Sequence, residues 1–307
     1  MTEHRVSLPA ERTAKRTYDH APGRHDLGLT ADVRTLLHRR QALALLGGAG
    51  LVAIVGCSAE DNGAAGVGDS STSSTSAMSS TDSGSTGSAG SAGSAAAKPA
   101  AEVPDETAGP YPGDGSNGVD VLDDSDIVRR DITSSFGTST TRAAGIPLVV
   151  NLTVTDAANG YAAMAGAAVY LWHCDINGEY SMYSQGLEDE SYLRGVQATN
   201  RAGTATFTSI FPGAYPGRWP HIHFEVYRSV RDATNSGPIV KTSQVALPEA
   251  ACREAYATNG YGQSLANLSR MSLASDNVFG NDGGIYQLAT MTGAPGSGYV
   301  ANLTIGV

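Results

Sequence analysis

The sequence predicts an all-β sandwich with little helix, preceded by a signal segment and a disordered linker. Three observations carry that expectation. From residue 146 onward, short β-branched runs alternate apolar with polar residues, the two-residue period of a strand with one buried face. Turn clusters separate the runs: "DAANG", "TNRAG", "FPGAYPG" and "ATNSG". Only one segment has helical character, and there is neither an internal repeat nor a heptad pattern.

The chain opens on something other than a fold. Arg39 and Arg40 precede 16 uncharged residues, 41–56, and then Cys57. That apolar run is too short for a comfortable membrane span and fits the core of a signal. The twin arginines indicate export by the Tat route. "IVGC" (54–57) is similar to a bacterial lipobox, where cleavage precedes the cysteine and the new terminal Cys57 is lipidated. Residues 1–56 are therefore expected to be a Tat-type lipoprotein signal segment. It would leave the protein tethered to the outer face of the bacterial cytoplasmic membrane.

Residues 57–99 are dominated by Ser, Gly, Ala, Thr and Asp, too little apolar surface to offset the entropy of ordering, and are expected to be a flexible linker. Residues 100–307 remain as one domain with room for a sizeable core. From Cys57 onward, 12 Lys and Arg face 25 Asp and Glu, a formal charge of −13 with no basic patch. This excludes nucleic acid as a partner and fits the solubility of an exported protein. With Cys57 as the lipid anchor, Cys174 and Cys252 are left as a pair. Outside the cytoplasm a disulfide between them is expected.

Within the domain, 146–156, 166–175, 204–211, 221–228, 241–248 and 299–307 read as strands. "LPEAACREAYATNG" (247–260) reads as the helix: Pro248 lies near its start, alanine dominates it, and Asn259-Gly260 ends it.

Of seven histidines, His4, His20, His25 and His38 fall in the segment expected to be removed. Two of the remaining three stand one residue apart in "HIHFEVY", so on a strand His221 and His223 share a face. Such a pair suits one metal ion, and suits equally well a solvated or hydrogen-bonded pair. The upstream turn "FPGAYPGRWP" can fix Tyr215 beside the strand, and "GEYSMY" (178–183) offers Tyr180 and Tyr183 at the end of another. Phenolates are candidate co-ligands. Two phenolates and two imidazoles suit a hard trivalent ion such as iron(III). A zinc or copper site built from the pair with His173 is the alternative.

"ETAGPYPGDG", "VRRDI", "LWHCDINGEYS", "YLRGVQATNRAGTATFTSIFPGAYPGRWPHIHFEVY" and "SQVAL" follow one another in the chain. Over about residues 105–250 they resemble the intradiol ring-cleavage dioxygenases, most nearly the exported branch similar to protocatechuate 3,4-dioxygenase. The resemblance implies an intradiol dioxygenase-like sandwich and a non-haem iron(III) held by Tyr180, Tyr215, His221 and His223. It implies catalytic roles for Tyr215, as acceptor of a substrate proton, for Arg218, against charge on the ring, and for Gln244 beside the substrate. Tyr111, at the pocket mouth, is implied as a substrate contact, and His173 as a structural residue. The implied reaction takes a catechol-type substrate and O2 to a cis,cis-muconate-type diacid. A sandwich that keeps the fold and only binds an aromatic or a carbohydrate at the cell surface is the competing expectation.

Overall fold

The structure, a computed structural model, describes residues 101–307. The signal segment, the linker, Arg39, Arg40 and Cys57 lie outside the described residues.

Nine strands form two sheets: β1 (Pro147–Asp156), β2 (Ala162–Ala163), β3 (Ala168–Trp172), β4 (Arg194–Ala198), β5 (Thr204–Ile210), β6 (His221–Tyr227), β7 (Ile239–Ala246), β8 (Thr290–Ala294) and β9 (Gly298–Gly306). The first sheet runs β2-β1-β9-β8, with β5 also paired to β1. Only the β1–β9 pair is parallel in it. The second sheet runs β4-β3-β6-β7 and is antiparallel throughout.

The predicted strands all form. Alternation on β1 buries Leu148, Val150, Leu152 and Val154, which meet Val169, Leu171, Ile222, Phe224 and Val245 of the second sheet in one core. The second sheet is buried on both faces: every residue of β3 and β6 is inaccessible. Its outer face carries Tyr170, Trp172 and Tyr227, which pack with Val121, Leu122 and Ile127 from the irregular segment before β1. A site on that face is therefore enclosed by a covering layer rather than open to water.

Three short helices occur among the described residues: α1 (Val230–Thr234), α2 (Glu249–Tyr256) and α3 (Gly262–Leu268). The sequence marked only α2. Pro248 starts it, and Ala251, Cys252, Ala255 and Tyr256 face the core. The expected Cys174–Cys252 disulfide is not formed, and both thiols are free and buried. The two belong to different apolar clusters. Cys174 donates to the Gly213 carbonyl at 3.5 Å, whereas Cys252 packs on α2 in the main core.

Candidate metal centre

On β6 the period of two sends Ile222, Phe224 and Val226 into the inter-sheet core and leaves His221 and His223 together on the outer face. His223 is registered between Trp172 of β3 and Gln244 of β7. The Trp172 ring stacks on its imidazole, centroids 5.0 Å apart and planes 8° from parallel, which fixes the ring. Above it the backbone at Gly109 comes so near that an added Cβ would lie 3.1 Å from His223 Cε1. His221 Nδ1 donates to the Trp219 carbonyl at 2.5 Å, leaving Nε2 with the lone pair.

Tyr180 arrives on the turn after β3. The Asp175 carboxylate accepts from Asn177 N at 2.8 Å and Glu179 N at 3.1 Å, which folds that turn. Gly178 stands there at φ +85°, where a Cβ would fall 2.9 Å from Tyr215 Cβ. Glycine is what lets the two tyrosine-bearing segments close on each other. Tyr180 is 2% exposed, and Tyr215 is half-buried.

The four side chains converge. Tyr180 Oη lies 3.5 Å from Tyr215 Oη, Tyr215 Oη 3.1 Å from His221 Nε2, and His221 Nε2 3.0 Å from His223 Nε2. Metal bonds to nitrogen and oxygen of about 2.0–2.2 Å place adjacent ligands roughly 3 Å apart, so these donors fit one ion. Among the described residues no group of three or more His, Cys, Asp or Glu side chains is arranged for a metal. A metal here needs the tyrosines.

Electrostatics agree with that donor set. Burial, then the nearby Arg218 guanidinium, pushes His221 down to about 3; burial, then His221, holds His223 well below its usual range. Both imidazoles are thus neutral and fit to ligate. Burial, then Tyr215, holds the Tyr180 phenol well above its usual range. A cation among the four donors reverses that preference and stabilises the phenolate.

The other predicted residues divide. His173 has both ring nitrogens engaged elsewhere, with the Cys174 carbonyl at 2.8 Å and Ser209 Oγ at 2.7 Å, so it stands apart from the pair. Tyr183 also stays outside: its hydroxyl accepts from Gly113 N and donates to Asn117 Oδ1, each at 2.9 Å. The Tyr111 ring rests against Tyr180, centroids 5.0 Å apart. Arg218 and Gln244 are buried and joined, Nη2 donating to Oε1 at 2.7 Å, while Gln244 Nε2 donates to the Thr107 carbonyl at 2.9 Å.

Sequence reasoning missed two acidic residues here. Asp276 accepts from Arg218 Nε at 3.0 Å and from Trp219 N at 2.7 Å. Burial pushes its carboxyl up, but Arg218 and those donors outweigh burial and hold it below its ordinary value. Glu106 is 6% exposed with Oε1 unpartnered. Burial, then Asp282, pushes it up to about 7 against the pull of Arg218. The neutral form is thus favoured by folding, and stability is lost as pH rises through the window between the unfolded value and about 7. Glu106→Gln is expected to melt a few degrees above the parent at about pH 8, with the gap closing near pH 4, where both are neutral. Melting curves across that range check it.

Residues 129–223 match the family model described as "Dioxygenase", a stretch narrower than the 105–250 of the sequence resemblance that still holds all four donors. The chain resembles the intradiol ring-cleavage dioxygenases. Similar solved structures include an intradiol ring-cleavage dioxygenase from Tetranychus urticae, at 27% identity over 60% of this chain and 87% of that one, TM-score 0.49. Another is the dioxygenase domain of a dioxygenase–carbohydrate-binding fusion from Streptomyces sp. SirexAA-E, at 22% identity over 67% and 98%, TM-score 0.43. Catechol 1,2-dioxygenase from Pseudomonas arvilla C-1 follows at 17% over 58% and 55%, TM-score 0.36. The comparison with curated proteins gives no match. The two-sheet β-sandwich with little helix expected from the sequence is the fold the described residues adopt.

Proposed function

We propose that the protein is a non-haem, iron(III)-dependent intradiol dioxygenase acting on catechol-type rings. The ring opens between its two hydroxyl-bearing carbons, both atoms of O2 enter the product, and a muconate-type diacid results without an external reductant. The observation that carries this reading is the convergence of Tyr180, Tyr215, His221 and His223 on one point, with buried Arg218 beside them. Iron(III) bound there would draw electron density from a catecholate and direct O2 to the ring.

The chain's own groups supply the rest. Tyr215 is the half-buried member of the four, and its hydroxyl is the one proposed to take a substrate proton. Arg218, whose charge acts on both His221 and Tyr180, would stabilise negative charge building on the ring. Gln244 holds the guanidinium at its angle and would face the substrate, and Tyr111 would line the approach. Given the Tat-type signal and Cys57, we place this reaction outside the cytoplasm, on a protein anchored to the membrane.

A visible spectrum of the iron(III)-loaded protein, before and after anaerobic addition of catechol, tests the reading. Phenolates on iron(III) give a strong charge-transfer colour, and the band is expected to shift as catechol binds. A protein that remains colourless after reconstitution with iron(III) overturns it, in favour of a binding module or a zinc or copper site.

A further inference from the structure

The proposed iron centre leaves a buried guanidinium without a task. Arg194, the first residue of β4, is 1% exposed, and among the described residues it enters no ion pair. A guanidinium without a counter-ion is costly to bury unless its N–H groups are well satisfied. Here they are. Nε donates to Ser181 Oγ at 3.1 Å and Nη2 to the Ser181 carbonyl at 3.0 Å. Nη1 donates to the Tyr111 carbonyl at 3.0 Å, the Pro112 carbonyl at 2.9 Å and Tyr170 Oη at 3.2 Å.

These acceptors lie on both sides of one metal ligand. Ser181 follows Tyr180 in the chain, and the Tyr111 ring rests against the Tyr180 ring. The approach is close: a Cβ on Gly113, at φ +66°, would come within 3.0 Å of Nη1. We propose that Arg194 is a positioning residue for the centre. It locks Ser181 and the Tyr111–Pro112 backbone to the sheet, and so sets the angle at which the Tyr180 phenol meets Tyr215 and the histidines, without touching any of the four donors. Lysine cannot replace it, because one ammonium cannot reach acceptors that diverge across a planar fork. This inference rests on the iron reading.

The test uses the full chain loaded with iron(III), comparing the parent with Arg194→Lys and Arg194→Gln. Chelator competition gives the affinity, the visible spectrum gives the charge-transfer band, and circular dichroism with thermal melting reports folding. Both variants are expected to fold, to bind iron about 10–100-fold more weakly, as loss of outer partners of metal ligands does, and to shift the band. Altered packing alone would lower the melting temperature and leave the band in place. If Arg194→Lys binds iron as the parent does with an unmoved band, the proposal falls. Should the Arg194 variants fail to fold, the Tyr170→Phe, Ser181→Ala double variant keeps the charge and removes its two side-chain acceptors. Its band is expected to shift, and an unmoved band overturns the proposal. A parent that takes up no iron sinks the iron reading and this inference with it; a coloured parent with unchanged variants sinks this inference alone.

Discussion

Tyr180→Phe is expected to remove the colour of the proposed iron(III) centre while leaving the fold intact. The substitution deletes one oxygen from a side chain that is 2% exposed and keeps the ring that packs against Tyr111 and Tyr215. In the metal-free protein the hydroxyl makes only a 3.5 Å contact with Tyr215, so stability should change by less than about 1 kcal/mol. The metal-bound protein loses an anionic ligand instead. Loss of an outer partner alone costs about 10–100-fold in metal affinity or activity, so loss of the ligand should cost more than about 100-fold in iron affinity and in catechol turnover. Tyr183→Phe is the control. Its hydroxyl bonds Gly113 N and Asn117, so the variant should slacken that loop and keep the colour. Iron titration and absorption spectra of the two side by side decide the matter. If Tyr183→Phe bleaches the protein and Tyr180→Phe does not, the ligand set is wrong.

That contrast also shows what the chain discloses in its sequence and what it withholds. His221 and His223 were legible because strand period alone puts them on one face. The strands were legible wherever alternation ran long enough. β4 was not, because "RGVQA" is too short to display a period, and β8 was not, because "TMTGA" is mostly exposed and contains glycine. Alternation on β6 suggested one wet face, yet both faces are buried; "AVYLW" on its neighbour β3, an unbroken apolar run, was the signal that the sheet is covered on both sides. The cysteine pair misled because an even count and an expected export signal say nothing of distance, and the two thiols sit in separate clusters. Arg194 could be read as part of a pattern, but its task depends on two turns meeting from 13 and 83 residues away.

Asp276 was beyond sequence reasoning, since it lies 58 residues from Arg218 just after a short 3-10 turn with no periodic signal, and its replacement should have the largest effect on stability. The Arg218–Asp276 pair is 2% and 0% exposed at its side chains. One carboxylate oxygen takes Arg218 Nε and Trp219 N, and the other takes Val278 N at 2.8 Å and Phe279 N at 3.1 Å. Asp276→Asn keeps the shape and removes the charge. Either orientation of the amide sets its NH2 against donors, and the buried guanidinium of Arg218 loses the carboxylate that takes its Nε. Breaking a buried pair in this way costs about 3–5 kcal/mol. At about 2–4 °C per kcal/mol for a domain of this size, the melting temperature should fall by roughly 6–20 °C. Because the carboxyl of Asp276 is held below its ordinary value in the fold, its stabilisation is present above the usual carboxylate range. It is lost as pH falls through the folded-state value, so the gap between parent and variant should narrow in acid. Arg218→Met added to Asp276→Asn should recover part of the loss, since the charge that Asp276 faces goes with the guanidinium. The double variant should lack turnover even where its stability recovers, because it removes the Arg218 charge proposed to act beside the metal centre. A single Asp276→Asn variant that melts within about 2 °C of the parent would mean that Arg218 finds another anion, and that Asp276 does not hold it in place.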